Sequence, residues 1–164
     1  MLMIKEKVNF NSEFKKNAIG KNVNNYLYNQ ESKIKNIKPG VKKRIIWFGK
    51  ENKKTPLSII YIHGFSASSE EIRPFPDLIA QNLKANLFFT RLKGHGRDSI
   101  AMSEASIKHW IDDLNEAIEI GTRIGEKVIV ISTSTGGTLS SVAALDKNLS
   151  KDILSFIFIS PNFG

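Results

Sequence analysis

The sequence predicts an α/β fold, a mostly parallel sheet with helices on both faces. Three observations predict it. Apolar runs at 57–62, 127–131 and 153–159 have the length and β-branched composition of buried strands. Helical patterns stand between them, the clearest at 107–122, where Ile107, Trp110, Ile111, Leu114, Ala117 and Ile118 form one apolar stripe. The run at 127–131 also passes through Ser132-Thr133-Ser134-Thr135-Gly136-Gly137 straight into a helix-like stretch at 139–145. Strands alternating with helices imply βαβ units, and right-handed crossovers put helices on both faces. A generic Rossmann-like three-layer α/β arrangement shares this pattern and is the alternative at this level.

In order along the chain, residues 1–41 read as a loose, basic N-terminal extension with a short helix around 23–34, closed by Pro39-Gly40. The α/β domain occupies 42–164. Its first strand is expected at 42–50, around Ile45, Ile46, Trp47 and Phe48, and its second at 57–62. Ser68-Ser69-Glu70-Glu71 offers a capping-box helix start, and Pro76 suits the first position of a helix ending near 83. A strand follows at 85–90. Ser106 is placed to cap the amphipathic helix. A strand at 127–131, a helix at 135–145 and a strand at 153–159 complete the pattern.

Composition excludes several chemistries. The 164 residues contain no cysteine, so there is no disulfide framework, thiolate metal site or cysteine nucleophile. The net charge of +8 is uneven: residues 1–54 carry 14 Lys/Arg against 4 Asp/Glu, and residues 55–164 carry 10 against 12. The leading lysines are interleaved with asparagine and isoleucine, without the aromatic alternation of a nucleic-acid platform, so no nucleic-acid partner is expected. No apolar h-region and no run long enough to span a bilayer are present, which makes the cytoplasm the expected location. An N-terminal anchor lost with an upstream start would leave the same sequence.

The chemistry concentrates at strand ends. A tight strand-to-helix turn can hold a serine hydroxyl out at the carboxyl edge of a sheet, provided that the residues two before and two after it are small. Ser134 has Ser132 and Gly136 there; Ser132 would have Val130 at one of those places, which is too large. Acyl transfer also needs two N–H donors for the oxyanion. Thr135 supplies one, and the His63-Gly64-Phe65 loop after strand 57–62 supplies the other from Phe65. His63 and Gly64 are expected to support that loop. Gly94-His95-Gly96 fails the phosphate-loop pattern, since Ser99 stands at its last place, and reads as a rigid turn beside the site. His109 reads as a surface or packing residue. The histidines show no metal-ligand spacing, and no cofactor is implied.

Tyr61-Ile62-His63-Gly64-Phe65, Arg91-Leu92-Lys93-Gly94-His95-Gly96-Arg97-Asp98, Ser132-Thr133-Ser134-Thr135-Gly136-Gly137 and Ser160-Pro161-Asn162, in that order and spacing, resemble the α/β-hydrolase superfamily. The nearest likeness is to its bacterial carboxylesterase and monoacylglycerol-lipase-like branch. The resemblance covers about 42–164. It implies strands 2 to 6 of an eight-stranded sheet in the order 2-4-3-5-6, with the fold truncated after strand 6. It implies Ser134 as nucleophile, the Phe65 and Thr135 N–H groups as oxyanion hole, and a small acyl ester as substrate. In that superfamily the acid and the histidine follow the serine in the chain. Here His63, His95 and His109 all precede Ser134, and the only later acids, Asp146 and Asp152, fall at the opposite edge of the sheet. The triad acid and histidine are therefore expected outside this chain. Two functions stay open: a serine carboxylesterase or lipase-like hydrolase, and an inactive remnant or one piece of a split hydrolase with at most an interaction role. Strand 153–159 is apolar on both faces, and self-association or pairing with a missing C-terminal piece is expected through it.

Overall fold

Side-chain alternation along the central strands builds the architecture. The computed structural model describes residues 11–163. Its strands are β1 (Arg44–Ile46), β2 (Thr55–Ile62), β3 (Asn86–Phe89), β4 (Gly125–Thr133) and β5 (Ile153–Ile159), in the sheet order β1-β3-β2-β4-β5. β1 runs antiparallel to β3, and every other pair is parallel. Ile59 pairs in register with Leu87 on one side and Ile129 on the other. Alternate residues therefore line up by face. Ile60, Ile62, Phe88, Val128 and Val130 face one layer, while Ile59, Tyr61, Leu87, Phe89, Ile129 and Ile131 face the other.

The first layer holds α1 (Val23–Glu31), α3 (Ile107–Ile124) and α4 (Thr135–Leu145), through Leu27, Leu114, Ile118, Leu139 and Ala143. The second holds α2 (Phe75–Asn82), through Ile79 and Ala80. A short α5 (Lys147–Ser150) starts at Asp146, whose carboxylate accepts from the Asn148 and Leu149 N–H groups. This is the mostly parallel sheet with helices on both faces that the sequence predicts. The amphipathic stripe is α3, and the Ser106 hydroxyl caps it by accepting from the His109 N–H.

Two local expectations change. β1 is three residues long, because Trp47 turns its indole to Asn24 and the Phe48 N–H goes to the Asn86 side chain. Ser68-Ser69-Glu70-Glu71 starts no helix; α2 begins at Phe75 with Pro76 in its first turn. The Glu71 carboxylate reaches across to the sheet edge instead.

From residue 11 on, the N-terminal segment is docked and not loose; the first part of the expected extension, residues 1–10, lies outside the described residues. Ile19, Val23, Tyr26 and Leu27 belong to the core of the first layer. Beneath them lies a buried polar network. Glu31 forks onto Arg91 (2.9 and 2.7 Å), and both side chains are 4% exposed. Lys43 Nζ meets Asp113 (2.8 Å) and Glu116, and the Tyr26 hydroxyl donates to Glu116 (2.5 Å). Burial opposes the charge on Lys43, but the Asp113 and Glu116 carboxylates outweigh it and hold the ammonium above its ordinary value. Burial likewise opposes ionisation of Glu31, and the Arg91 guanidinium wins, leaving that carboxyl below its usual range. Arg91 also donates to the His95 carbonyl (3.1 Å), and Asp113 accepts from the Lys93 N–H (2.6 Å). The network thus ends on the loop that carries His95.

Candidate active site

β4 ends at Thr133 and α4 begins at Thr135, so Ser134 alone makes the turn between them, at φ 47° and ψ −117°. A non-glycine residue held there costs on the order of 1–3 kcal/mol and persists only when its surroundings over-determine it. They do. The Ser134 N–H donates to the Ile159 carbonyl (3.0 Å), and its carbonyl accepts from Thr138 (3.2 Å) and Asn162 (3.4 Å). The first turn of α4 presses on the end of β2. A Cβ on Gly136 would stand 2.3 Å from the Ile62 carbonyl oxygen and 2.6 Å from that of His63, so only glycine fits. Ser132, two residues before Ser134, is fully buried. Ser134 itself is half-buried.

Gly64 brings the second loop against the serine. A Cβ on it would lie 3.2 Å from the Ser134 Cβ. The Gly64 carbonyl pairs with His63 Nδ1 (2.9 Å) and accepts from the Ala67 N–H (3.4 Å). Among the described residues, neither the Phe65 N–H nor the Thr135 N–H is engaged by a hydrogen bond. The Phe65 ring is exposed and meets His95 and Trp110 edge-on, at centroid distances of 6.0 and 6.1 Å. His63 and His95 lie ring to ring at 4.8 Å.

Each histidine has its own environment. His63 is inaccessible to solvent; its Nδ1 pairs with the Gly64 carbonyl, and its Nε2 accepts from the Leu92 N–H (3.1 Å). That pattern fixes the neutral Nδ1–H tautomer. Burial pushes its pKa down to about 3, with the neighbouring His95, Arg91 and Lys43 acting in the same direction. His95 is also shifted down, chiefly by burial; its Nδ1 pairs with the Lys93 carbonyl (3.2 Å), and its Nε2 has no hydrogen-bond partner among the described residues. His109 is exposed, with Nδ1 against the Ser106 hydroxyl (2.9 Å). Among the described residues, no imidazole hydrogen-bonds Ser134. Asp146 caps α5, and Asp152 pairs with Lys127 (3.5 Å).

Of the residues singled out in sequence, Ser134, Thr135, Gly136, His63, Gly64 and Phe65 converge where β2 and β4 end, with His95 against His63. Gly94 and Gly96 take φ of 84° and 71° and turn away, Gly94 towards Ala101 and Met102, Gly96 towards Val41 and Arg91. Their part is to form the turn that presents His95. Sequence reading misses Glu71. Its Oε1 accepts from the Gly64 N–H (2.7 Å) and from the Tyr61 hydroxyl (2.6 Å), and Tyr61 also pairs with Thr133 Oγ1 (3.0 Å). Burial and then the hydrogen bond to Glu71 raise the Tyr61 pKa, so the phenol stays protonated.

No family model matches the chain. Over 85 residues, 52% of this chain, it is 26% identical to the thermostable monoacylglycerol lipase of Bacillus sp. (strain H-257). Among solved structures it superposes on one from a study of LipS and LipT, two metagenome-derived lipolytic enzymes, with a TM-score of 0.65 and 19% identity over 76% of this chain. Est1E from Butyrivibrio proteoclasticus, solved with ferulic acid bound, gives a TM-score of 0.59 and 20% identity over 75% of this chain. The chain carries the α/β-hydrolase fold. It is related to that superfamily over the matched part of its length. The chain spans about a third of the curated relative (34%) and about half of each structural neighbour (47% and 50%), so the likeness to the α/β-hydrolases extends over part of theirs. No helix among the described residues is long and apolar enough to cross a membrane.

Proposed function

We propose that this chain carries the nucleophile and the oxyanion site of a serine hydrolase that cleaves small carboxylic esters. The observation that carries the reading is the strained Ser134 turn, held open between β4 and α4 by the backbone contact at Gly136. Ser134 Oγ adds to the ester carbonyl carbon, and the carbonyl π pair moves onto oxygen. The Phe65 and Thr135 N–H groups, which have no other partner among the described residues, receive that oxyanion. Collapse expels the alcohol and leaves an acyl-Ser134, which water then cleaves. The serine proton needs a base, and among the described residues no imidazole hydrogen-bonds Ser134. In this reading the base and its acid come from outside the described residues. The lipolytic enzymes among the relatives support an acyl ester as substrate.

A second reading, an interaction module without turnover, is favoured by the lack of an imidazole on Ser134 among the described residues and by the engagement of both His63 ring nitrogens. Loss of the base from a triad enzyme can cost about 10⁶-fold in kcat. The isolated chain should therefore hydrolyse p-nitrophenyl butyrate little faster than its Ser134→Ala variant, yet react covalently with an alkyl fluorophosphonate. Phosphonate on the peptide holding Ser134, absent in Ser134→Ala, supports the hydrolase reading. No modification at Ser134 supports the interaction module.

A further inference from the structure

Phe65 offers its N–H from the peptide unit that follows Gly64. Glycine constrains its own φ and ψ less than any other residue, so that N–H points at the oxyanion only if Gly64 is held from outside. The structure holds it on both sides. On the carbonyl side stands His63 Nδ1 (2.9 Å); on the N–H side stands Glu71 Oε1 (2.7 Å). The same Glu71 oxygen accepts from the Tyr61 hydroxyl (2.6 Å), which pairs with Thr133 Oγ1 (3.0 Å), one residue before Ser134. One carboxylate oxygen thus ties the loop after β2 to the end of β4. The other, Oε2, lies 3.5 Å from where a Gly64 Cβ would stand, on a glycine that also faces the Ser134 Cβ. Glu71 is exposed, so its side chain fills no core volume.

We infer that Glu71 is a positioning residue for the oxyanion site: as a hydrogen-bond acceptor it fixes Gly64 and thereby aims the Phe65 N–H, in register with Ser134. The inference rests on the reading of Ser134 as nucleophile. It also carries a cost. A carboxylate close to a developing oxyanion disfavours it, so the useful property of Glu71 is its oxygen and not its charge.

The test is the rate at which an alkyl fluorophosphonate modifies Ser134 in the intact chain. In that step Ser134 Oγ bonds to phosphorus, fluoride leaves, the serine proton passes to solvent, and the phosphoryl oxygen occupies the oxyanion site. Glu71→Ala is expected to slow it by about 10- to 100-fold, the scale of a misplaced reacting group. Glu71→Gln keeps the acceptor, removes the charge, and should restore the rate to the wild-type value or above it. Tyr61→Phe, which removes only the outer link, should slow the reaction less than Glu71→Ala. The Gly64 amide proton resonance, shifted downfield by the carboxylate in wild type, should move upfield in Glu71→Ala while the rest of the amide spectrum stays in place. Equal rates in wild type and Glu71→Ala would overturn the positioning role while leaving the nucleophile intact. A Gln variant as slow as Ala would overturn it too. No phosphonate on Ser134 in wild type would instead remove the reading on which the inference rests.

Discussion

β2 and β5 flank the same strand and are built from the same kind of residue, yet they meet opposite surroundings. Ile59, Ile60, Tyr61 and Ile62 of β2 are wholly inaccessible, whereas no residue of β5 is fully buried, and Leu154 and Phe158 are 62% and 37% exposed. β2 pairs on both sides, with β3 and β4; β5 pairs with β4 alone and is the sheet edge among the described residues. An apolar strand without charge or proline suits a sheet interior, and natural edges are usually blunted. The difference shows that the site is finished from one side. The β2 flank supplies the loop, the tethers and the buried network behind His95, and the β5 flank supplies only backbone contacts to Ser134.

If the β2 flank is the organised one, breaking its polar network should do the most damage. Arg91→Ala leaves Glu31 buried without its partner and should cost about 3–5 kcal/mol in urea unfolding. A loss under about 1 kcal/mol would mean that the N-terminal segment is not docked as described. Next comes the pH dependence from His63. Its folded pKa, about 3, lies below the unfolded value near 6.5. Between those limits the unfolded chain binds the proton and the folded chain does not, so stability falls as pH drops below about 6.5. At pH 5 one such group costs about 2 kcal/mol. His63→Asn should flatten that slope between pH 7 and 5, whatever its effect at pH 7. The smallest expected stability change belongs to the β5 flank. Leu154→Lys should alter stability by no more than about 0.5 kcal/mol, as for an ordinary surface position. The wild-type chain is nonetheless expected to self-associate at micromolar concentration, and Leu154→Lys to sediment as a monomer. A wild-type chain that is already a compact monomer would show that the exposed edge is harmless.

The parts legible in sequence were those with a local pattern. β4, Ser134 and α4 lie within one continuous stretch, and the α3 stripe repeats every three to four residues. The His63-Gly64-Phe65 loop was legible because it follows an unmistakable buried strand. What pairs distant residues left no such trace. Glu71 sits in a sequence that reads as a helix cap, and only the fold reveals that its carboxylate turns to Gly64. Glu31 and Arg91 are 60 positions apart, and neither announces the other. The docking of the N-terminal segment had a faint signal. Ile19, Val23, Tyr26 and Leu27 are spaced as one helical face, but the asparagines and lysines between them mask it.

In the proposed hydrolase, Ser134 and its oxyanion donors are assembled even where no base accompanies them. Acetylation by p-nitrophenyl acetate, followed by intact-mass and peptide analysis, tests this most directly. Wild type is expected to show slow acetylation of Ser134 and a long-lived acetyl-enzyme, because deacylation also needs a base, and Ser134→Ala is expected to carry no acetyl on that peptide. Acetyl groups on lysines alone would contradict the nucleophile. Rapid turnover abolished by Ser134→Ala would contradict the absence of a base among these residues.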